Sequence, residues 1–171
     1  LIREDTEVST MAQAALERFG RVDVLCNNAG VSTFNALADQ TAADWRWVLG
    51  VNLWGVVHGI QSFVPIMRAQ GTPAHIVSTS SIAGLWSGVP FIGPYAVSKV
   101  GVVSLSETLR DELRDRAFQK AVRLDPDDED GLFQLGLCYL DRGWTQKAAE
   151  RFQAALELNP NRIELQEAQK L

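Results

Sequence analysis

The sequence has few cysteines and no cluster of basic residues, and each shortage excludes a class of protein. Its 171 residues include two cysteines, Cys26 and Cys138, whose wide separation fits neither a disulfide framework nor a metal-binding motif. Both lie in apolar stretches, so we expect buried thiols in a reducing compartment. The net charge of -5 and the scattered Lys and Arg residues argue against a nucleic-acid-binding surface.

The sequence also lacks a recognisable secretory leader and begins with Leu1, so we expect a cytoplasmic segment of a longer protein. Residues 47–67 carry no charged side chain and are long enough to span a bilayer. Asn52, His58 and Gln61 make this stretch poorly apolar. We therefore expect no membrane contact, and interpret the stretch as a helix buried in a soluble protein.

A tyrosine and a lysine four residues apart, Tyr95 and Lys99, are the most informative pair in the chain. On a helix they project from the same face. A lysine ammonium held there stabilises a phenolate, which favours the tyrosine as a general acid/base. A hydroxyl from the preceding loop, Ser81, can hydrogen-bond the oxygen on which the tyrosine acts. On its own, however, such a pair is common on helix surfaces.

Two asparagine motifs precede this pair. Asn27-Asn28-Ala29-Gly30 follows the strand-like run 22–26, and its small residues would let a ligand approach the end of a strand, where open α/β sheets bind cofactors. Asn52 interrupts the apolar helix expected over 41–69, which begins with a capping box at Thr41. A buried asparagine in such a helix must find hydrogen-bond partners. A plain turn and a partly exposed helix residue are the alternatives.

Together, in this order, these motifs resemble the short-chain dehydrogenase/reductase family over residues 1–116. The resemblance implies an NAD(P)-dependent oxidoreductase acting on a small alcohol/carbonyl pair. It implies that Tyr95 is the general acid/base and that Lys99 assists it and binds the ribose. Ser81, which directly precedes Ile82-Ala83-Gly84, is preferred to Ser80 as the residue that holds the substrate oxygen. The remaining implied contacts are a proton-relay water at Asn52 and a nicotinamide cofactor at Asn28, Ala29, Gly30, Tyr95 and Lys99.

One part of the family pattern does not occur in this sequence. No glycine-rich turn precedes residue 20, although such a turn and the following helix N-terminus normally hold the pyrophosphate. The residue that chooses between NAD and NADP is missing with it. We therefore expect the chain by itself to bind either cofactor weakly.

The end of the chain repeats itself with a period of 34 residues. This period is typical of tetratricopeptide repeats, which the segment 117–171 resembles. The implied structure is a helix pair at about 129–158 with a short helix after it, and the implied partner is another protein. The repeated positions are Phe118/Phe152, Ala121/Ala155, Leu124/Leu158 and Pro126/Pro160.

The expected fold class is thus α/β, a partial Rossmann-type domain followed by an all-α tetratricopeptide-like helical hairpin. We place the domains at 1–116 and 117–171. The first should contain buried parallel strands at 22–26 and 74–79 and three helices, at 9–19 (capped by Ser9 or Thr10), 41–69 and 95–114. The last helix should continue past 114, because no Gly or Pro lies between Gly101 and Asp125.

Three functional hypotheses follow from these patterns. The first is an oxidoreductase, incomplete as an isolated chain, that forms a homo-oligomer through helices 41–69 and 95–114. The second is a non-catalytic interaction module that acts through the helical tail. The third is a fusion with no selected function.

Overall fold

The computed structural model describes residues 5–86 and 88–161, and its chain forms two compact units, Leu1–Ser106 and Glu107–Leu171. The first unit is α/β and the second is helical, as the sequence predicted. Eight helices and strands are referred to below: α1 (Asp5–Phe19), β1 (Val24–Asn27), α2 (Ala42–Leu49), α3 (Gly55–Ala69), β2 (His75–Ser78), α4 (Gly93–Leu124), α5 (Glu129–Asp141) and α6 (Thr145–Leu158).

The two strands form a parallel pair in which Val24 lies opposite His75 and Asn27 lies opposite Ser78. The expected strand pairing is therefore confirmed. Leu25 is buried against a cluster of apolar residues from α1 and α3. Its neighbours in β1 point to the opposite face, because side chains alternate along a strand. The residues packed with it are Val8, Ala12, Phe63 and Met67.

The expectation that both faces of these strands are buried is wrong. Val24 and Val77 are 54% and 51% exposed, and the thiol of Cys26 is exposed, whereas that of Cys138 is buried. The reason is that α1 and α3 pack on the Leu25 face. An apolar run identifies a strand but does not show how many of its faces are covered.

Helix α1 begins at Asp5, so the expected caps Ser9 and Thr10 are wrong. Thr10 lies inside the helix, where its hydroxyl donates to the carbonyl of Thr6 at 2.7 Å. The expected end of the helix is confirmed. Gly20 has a φ of 75° and donates its N–H to the carbonyl of Leu16, which is the usual role of glycine after a helix.

Helix α2 begins with the predicted capping box, in which Thr41 and Asp44 exchange side-chain and backbone hydrogen bonds. Thr41 donates to the carboxylate of Asp44, and these bonds lower the pKa of Asp44. Between α2 and α3 the backbone forms a π-helical turn at Gly50–Trp54, which contains Asn52. Such turns are uncommon within helices and concentrate at functional sites.

Helix α4 is continuous from Gly93 to Leu124, and no strand follows it within residues 5–86 and 88–161. The predicted unbroken helix is therefore confirmed. On this helix Val97 is 51% exposed, whereas Val102 is buried.

The second unit contains the helix pair that the sequence placed at 129–158. Asp128 caps α5 by accepting a hydrogen bond from the N–H of Gly131, and Gly136 lies directly against the ring of Phe152. The carboxylate of Asp115 pairs with Arg142 at 2.8 Å. The expected short terminal helix lies outside the described residues. The apolar core of the pair consists of Leu132, Phe133, Ala148, Phe152 and Ala155.

One continuous helical segment, Ala42–Ala69, is long and apolar enough to cross a membrane when judged by length and composition alone. One third of its most apolar window is buried, and Phe63 and Met67 on it belong to the apolar core. Core helices of soluble proteins meet the same criterion.

Candidate active site

A buried asparagine connects the loop after β1 to the start of α4. Asn52 is 1% exposed. Its Oδ1 accepts from the N–H of Val31 at 2.8 Å, and its Nδ2 donates to the carbonyl of Val31 and to the hydroxyl of Ser98, both at 2.9 Å. Ser98 in turn donates to the carbonyl of Tyr95 at 2.6 Å. The partners required for a buried Asn52 are therefore present.

Lys99 lies under the tyrosine of the same helix. Its ammonium is 5.6 Å from the centroid of the Tyr95 ring and donates to the carbonyl of Thr79 at 2.6 Å. Lys99 is 4% exposed, so its charge is held close to the ring by the protein. The predicted proximity of the two side chains is confirmed.

Gly30, in the motif after β1, also lies beside Asn52 and Lys99. A Cβ added to Gly30 would lie 3.7 Å from both Oδ1 of Asn52 and Nζ of Lys99, so the backbone of Gly30 passes beside these two groups. Asn28 accepts a hydrogen bond from the Thr79 hydroxyl at 2.8 Å. The ends of β1 and β2 are thus tied together at the edge where Lys99 lies.

The two neighbouring serines have different environments. The hydroxyl of Ser80 donates to the carbonyl of Lys99 at 3.0 Å and holds α4 in place. The hydroxyl of Ser81 accepts from the N–H of Ala83 at 3.2 Å and caps a short 3-10 helix. Within residues 5–86 and 88–161, no hydrogen bond joins Ser81 to Tyr95. Ser80 is therefore engaged with the helix backbone, which agrees with the choice of Ser81 over it.

A cavity of about 80 Å³ opens beside the end of β1. Its walls are mainly apolar, and the side of Gly59 that faces Asn27 has no room for a Cβ, which would lie 2.3 Å from Oδ1 of Asn27. Asn28 and Ala29 after the strand line one part of it, and Val8, Leu25 and Phe63 line another. Its volume is below the roughly 300–1,000 Å³ of pockets that enclose small-molecule ligands. Residues lining the cavity include Leu25, Asn27, Asn28, Ala29, Val56 and Gly59.

Sequence reasoning did not identify Ser98 and Thr79, which complete this arrangement. Ser98 is completely buried and connects Asn52 to the backbone of Tyr95. Thr79 uses its carbonyl for Lys99 and its hydroxyl for Asn28. Ser98 lies one turn after Tyr95, and this spacing was the available signal. The use of the Thr79 carbonyl as an acceptor could not be predicted, because every residue has a backbone carbonyl.

Comparison with known families agrees with this geometry. Residues 1–123 match the model of the short chain dehydrogenase family, and residues 129–162 match that of the tetratricopeptide repeat. The first match covers well over half of the chain, and the chain therefore belongs to the short-chain dehydrogenase family. Its tail carries a tetratricopeptide-like helix pair.

Individual relatives match the first part of the chain. The C alpha-dehydrogenase of a Sphingobium species is 42% identical over 96 residues, which are 56% of this chain and 31% of that protein. An NAD-dependent oxidoreductase of Mycobacterium tuberculosis is 40% identical over 112 residues, 66% of this chain and 40% of that protein. The chain thus spans less than half the length of these relatives.

Solved structures show the same similarity in three dimensions. A short chain dehydrogenase/reductase from Burkholderia phymatum, solved in complex with NAD, superposes with a TM-score of 0.66 at 49% identity. The match covers 68% of this chain and 41% of that one. The apo form of LigD from Sphingobium superposes with a TM-score of 0.64 at 37% identity.

Proposed function

We propose that this chain supplies the reacting half of an oxidoreductase site, which transfers a hydride between a nicotinamide cofactor and a small alcohol or carbonyl compound. Three observations carry the proposal. Gly30 lies beside Asn52 and Lys99, Asn52 is joined through Ser98 to the backbone of Tyr95, and the Lys99 ammonium lies 5.6 Å from the centroid of the Tyr95 ring. They place a buried cation beside a phenol at the carboxyl end of two parallel strands. Family membership and these contacts support the same chemistry.

The residues present fit the nicotinamide side of such a cofactor. Gly30 has no side chain between Asn52 and Lys99, so a ribose can approach the ammonium there, with Asn28 and Ala29 beside it. When bound, the nicotinamide supplies or accepts the hydride. The Mycobacterium relative is named as an uncharacterized NAD-dependent oxidoreductase and the Burkholderia structure contains NAD, which favours NAD over NADP.

In this proposal Tyr95 donates a proton to the carbonyl oxygen during reduction and takes it back during oxidation. Lys99 stabilises the phenolate form, and Ser81 holds the substrate oxygen. Asn52 holds the water through which the proton leaves. Both amide hydrogens of Asn52 are already donated to protein oxygens, so we expect it to accept a hydrogen bond from that water.

The test is a chimera in which residues 1–116 replace the matching segment of the Burkholderia phymatum enzyme. We expect this chimera to oxidise or reduce an alcohol/carbonyl pair with NAD(H). Tyr95→Phe should lower its turnover by about 10²- to 10⁴-fold while its far-UV circular dichroism is unchanged. Near-normal turnover of the Tyr95→Phe chimera would refute the assignment.

We also propose that the first unit forms a homo-oligomer. Trp54, Val97 and Val100 are 53%, 51% and 48% exposed on the long helices, and a second copy packing there would cover them. Sedimentation velocity of the full chain should show a dimer or larger species. Trp54→Glu should shift it toward the monomer.

The helical tail favours a second candidate function, protein interaction. It matches a tetratricopeptide repeat, and Trp144 is 46% exposed beside Lys147 and Arg142. Stacked repeats usually need three or more copies to form a long binding surface, so the oxidoreductase proposal remains the conclusion. Protein interaction would become the preferred function if two results were obtained together. The chain would bind a defined protein partner and lose this binding in Trp144→Ala, and the chimera would be inactive.

A further inference from the structure

Two exposed aromatic rings lie together on the surface of the first unit. Phe34 and Phe91 are 78% and 48% exposed, yet their ring centroids are 5.3 Å apart and the rings are tilted by 36°. Pairs with this separation are attractive. A surface of this kind can bind an apolar ligand, because removing apolar surface from water lowers the free energy.

A buried glutamine holds the backbone beneath these rings. Gln40 is 9% exposed, and its Nε2 donates to the carbonyls of Asn35 at 3.1 Å and Phe91 at 3.3 Å. Its Oε1 accepts from the hydroxyl of Thr33 at 2.8 Å. The N–H of Asn35 also donates to the carbonyl of Phe91, at 2.9 Å. These bonds join the loop after β1 to the segment before α4.

Phe91 is held in an unfavourable backbone conformation. Its φ is 68°, and within the described residues it is the one residue other than glycine with a positive φ. A bulky side chain rarely adopts this conformation. Such strain persists where the surroundings fix it, and it concentrates at ligand-binding sites.

The position of the pair relates it to the proposed active site. Phe34 follows Gly30 by four residues, and Phe91 precedes Tyr95 by four. The two segments touch directly, since a Cβ on Gly93 would lie 2.4 Å from Cδ1 of Leu37. The aromatic pair is therefore built from the two loops that lead from the cofactor motif and into the helix of Tyr95.

We propose that Phe34 and Phe91 bind the ring of the substrate, so that the site prefers alcohols and ketones that carry an aryl or other flat apolar ring. Gln40 is a positioning residue, which acts by fixing the backbone of Phe91. The inference rests on the proposed function and names the substrate class of that site.

The test uses the full 171-residue chain and two probes, acetophenone and 2-butanone, titrated by two-dimensional NMR. We expect acetophenone to shift resonances of residues 33–40 and 91–95 saturably, with a Kd about tenfold lower than that of 2-butanone. Phe34→Leu and Phe91→Leu should each remove most of this difference. Phe19→Leu, which changes a phenylalanine that is 72% exposed on α1, should preserve it.

The role of Gln40 has its own readout. Gln40→Ala should weaken acetophenone binding in the wild-type background and have little further effect when Phe34 is already Leu. Equal affinities for the two probes, binding of neither, or a preference unchanged in Phe34→Leu would overturn the inference. Failure of the proposed function is detected in a different experiment, the chimera assay, in which turnover would then not depend on Tyr95.

Discussion

At the scale of single residues, a buried amide and a buried ammonium define this site. Asn52 uses its amide oxygen and both amide hydrogens within the protein, and Lys99 is nearly inaccessible to solvent. Burying such groups is unfavourable unless their partners are in place. The bonds of Asn52 also join the backbone of Val31, which follows Gly30, to the backbone of Tyr95 through Ser98.

The first prediction concerns Asn52. Asn52→Ala leaves the N–H and carbonyl of Val31 and the hydroxyl of Ser98 without their partner, so the free energy of unfolding should fall by about 2–4 kcal/mol. Urea unfolding followed by circular dichroism measures it. Gln61→Ala, an exposed amide on α3, is the control and should change stability by less than about 0.5 kcal/mol. Equal effects of the two substitutions would contradict the buried network.

The sequence predicted the proximity of Tyr95 and Lys99 and the hydrogen bonding of a buried Asn52, but not the contacts that support them. The spacing of Tyr95 and Lys99 predicts one helix face, and the apolar surroundings of Asn52 predict burial with partners. The hydrogen bonds of Ser98 and Thr79 depend on the approach of separate segments, which local patterns do not encode. The strained φ of Phe91 is equally invisible in sequence, because phenylalanine does not signal a left-handed conformation.

At the scale of elements, local signals predicted the start of α2 and the end of α1, but not the start of α1 or which strand faces are covered. The capping box at Thr41 and the stop at Gly20 depend on neighbouring residues alone, and both occur. The π-helical turn at Gly50–Trp54 and the exposed faces of Val24 and Val77 depend on what packs against the element. A hydrophobic pattern contains no record of that packing.

The second prediction concerns the cap of α2. Thr41→Ala should lower stability by about 1 kcal/mol, because the N–H of Asp44 loses its acceptor. The pKa of Asp44 is lowered in the folded protein by its hydrogen bonds to Thr41. The Asp44 carboxylate therefore stabilises the folded protein above the unfolded pKa of about 3.9. This stabilisation is lost as the pH falls through the lower folded pKa.

The matching measurement compares the wild type with Asp44→Asn in urea unfolding at pH 7 and at the lowest pH where both remain folded. The difference in stability should shrink at acid pH. A difference that stays constant or grows would show that the Asp44 carboxylate does not stabilise the helix start.

The third prediction concerns the helix pair of the tail. A Cβ at Gly136 would lie 2.4 Å from Cε1 of Phe152, which is 2% exposed. Gly136→Ala should therefore destabilise the second unit by about 1–3 kcal/mol despite the higher helix propensity of alanine. Gly55→Ala is the control, since nothing lies within 4 Å of its added Cβ, and should be neutral or stabilising. Thermal unfolding of both variants gives the sign.

At the scale of the whole molecule, the chain combines parts of two families in one sequence. The sequence-based boundary at 116/117 falls within the unbroken helix α4, so it remains a proposal about ancestry and not a structural break. The first unit contains the residues proposed to react with the substrate. The sequence contains no glycine-rich pyrophosphate turn before residue 20.

The central claim is that the chain carries the nicotinamide side of a cofactor site without the phosphate-binding side. Phosphate contacts at a helix N-terminus supply much of the affinity and orientation in such sites. Binding by the chain alone should therefore be weak, and restoring the missing segment should raise the affinity without any change in residues 1–116.

The most direct measurement is a fluorescence titration of the 171-residue chain and of the chimera with NADH and NADPH. We predict no saturation of the chain at micromolar cofactor concentration, and stoichiometric binding by the chimera. Stoichiometric micromolar binding by the chain alone, or no binding by a folded chimera, would contradict this account.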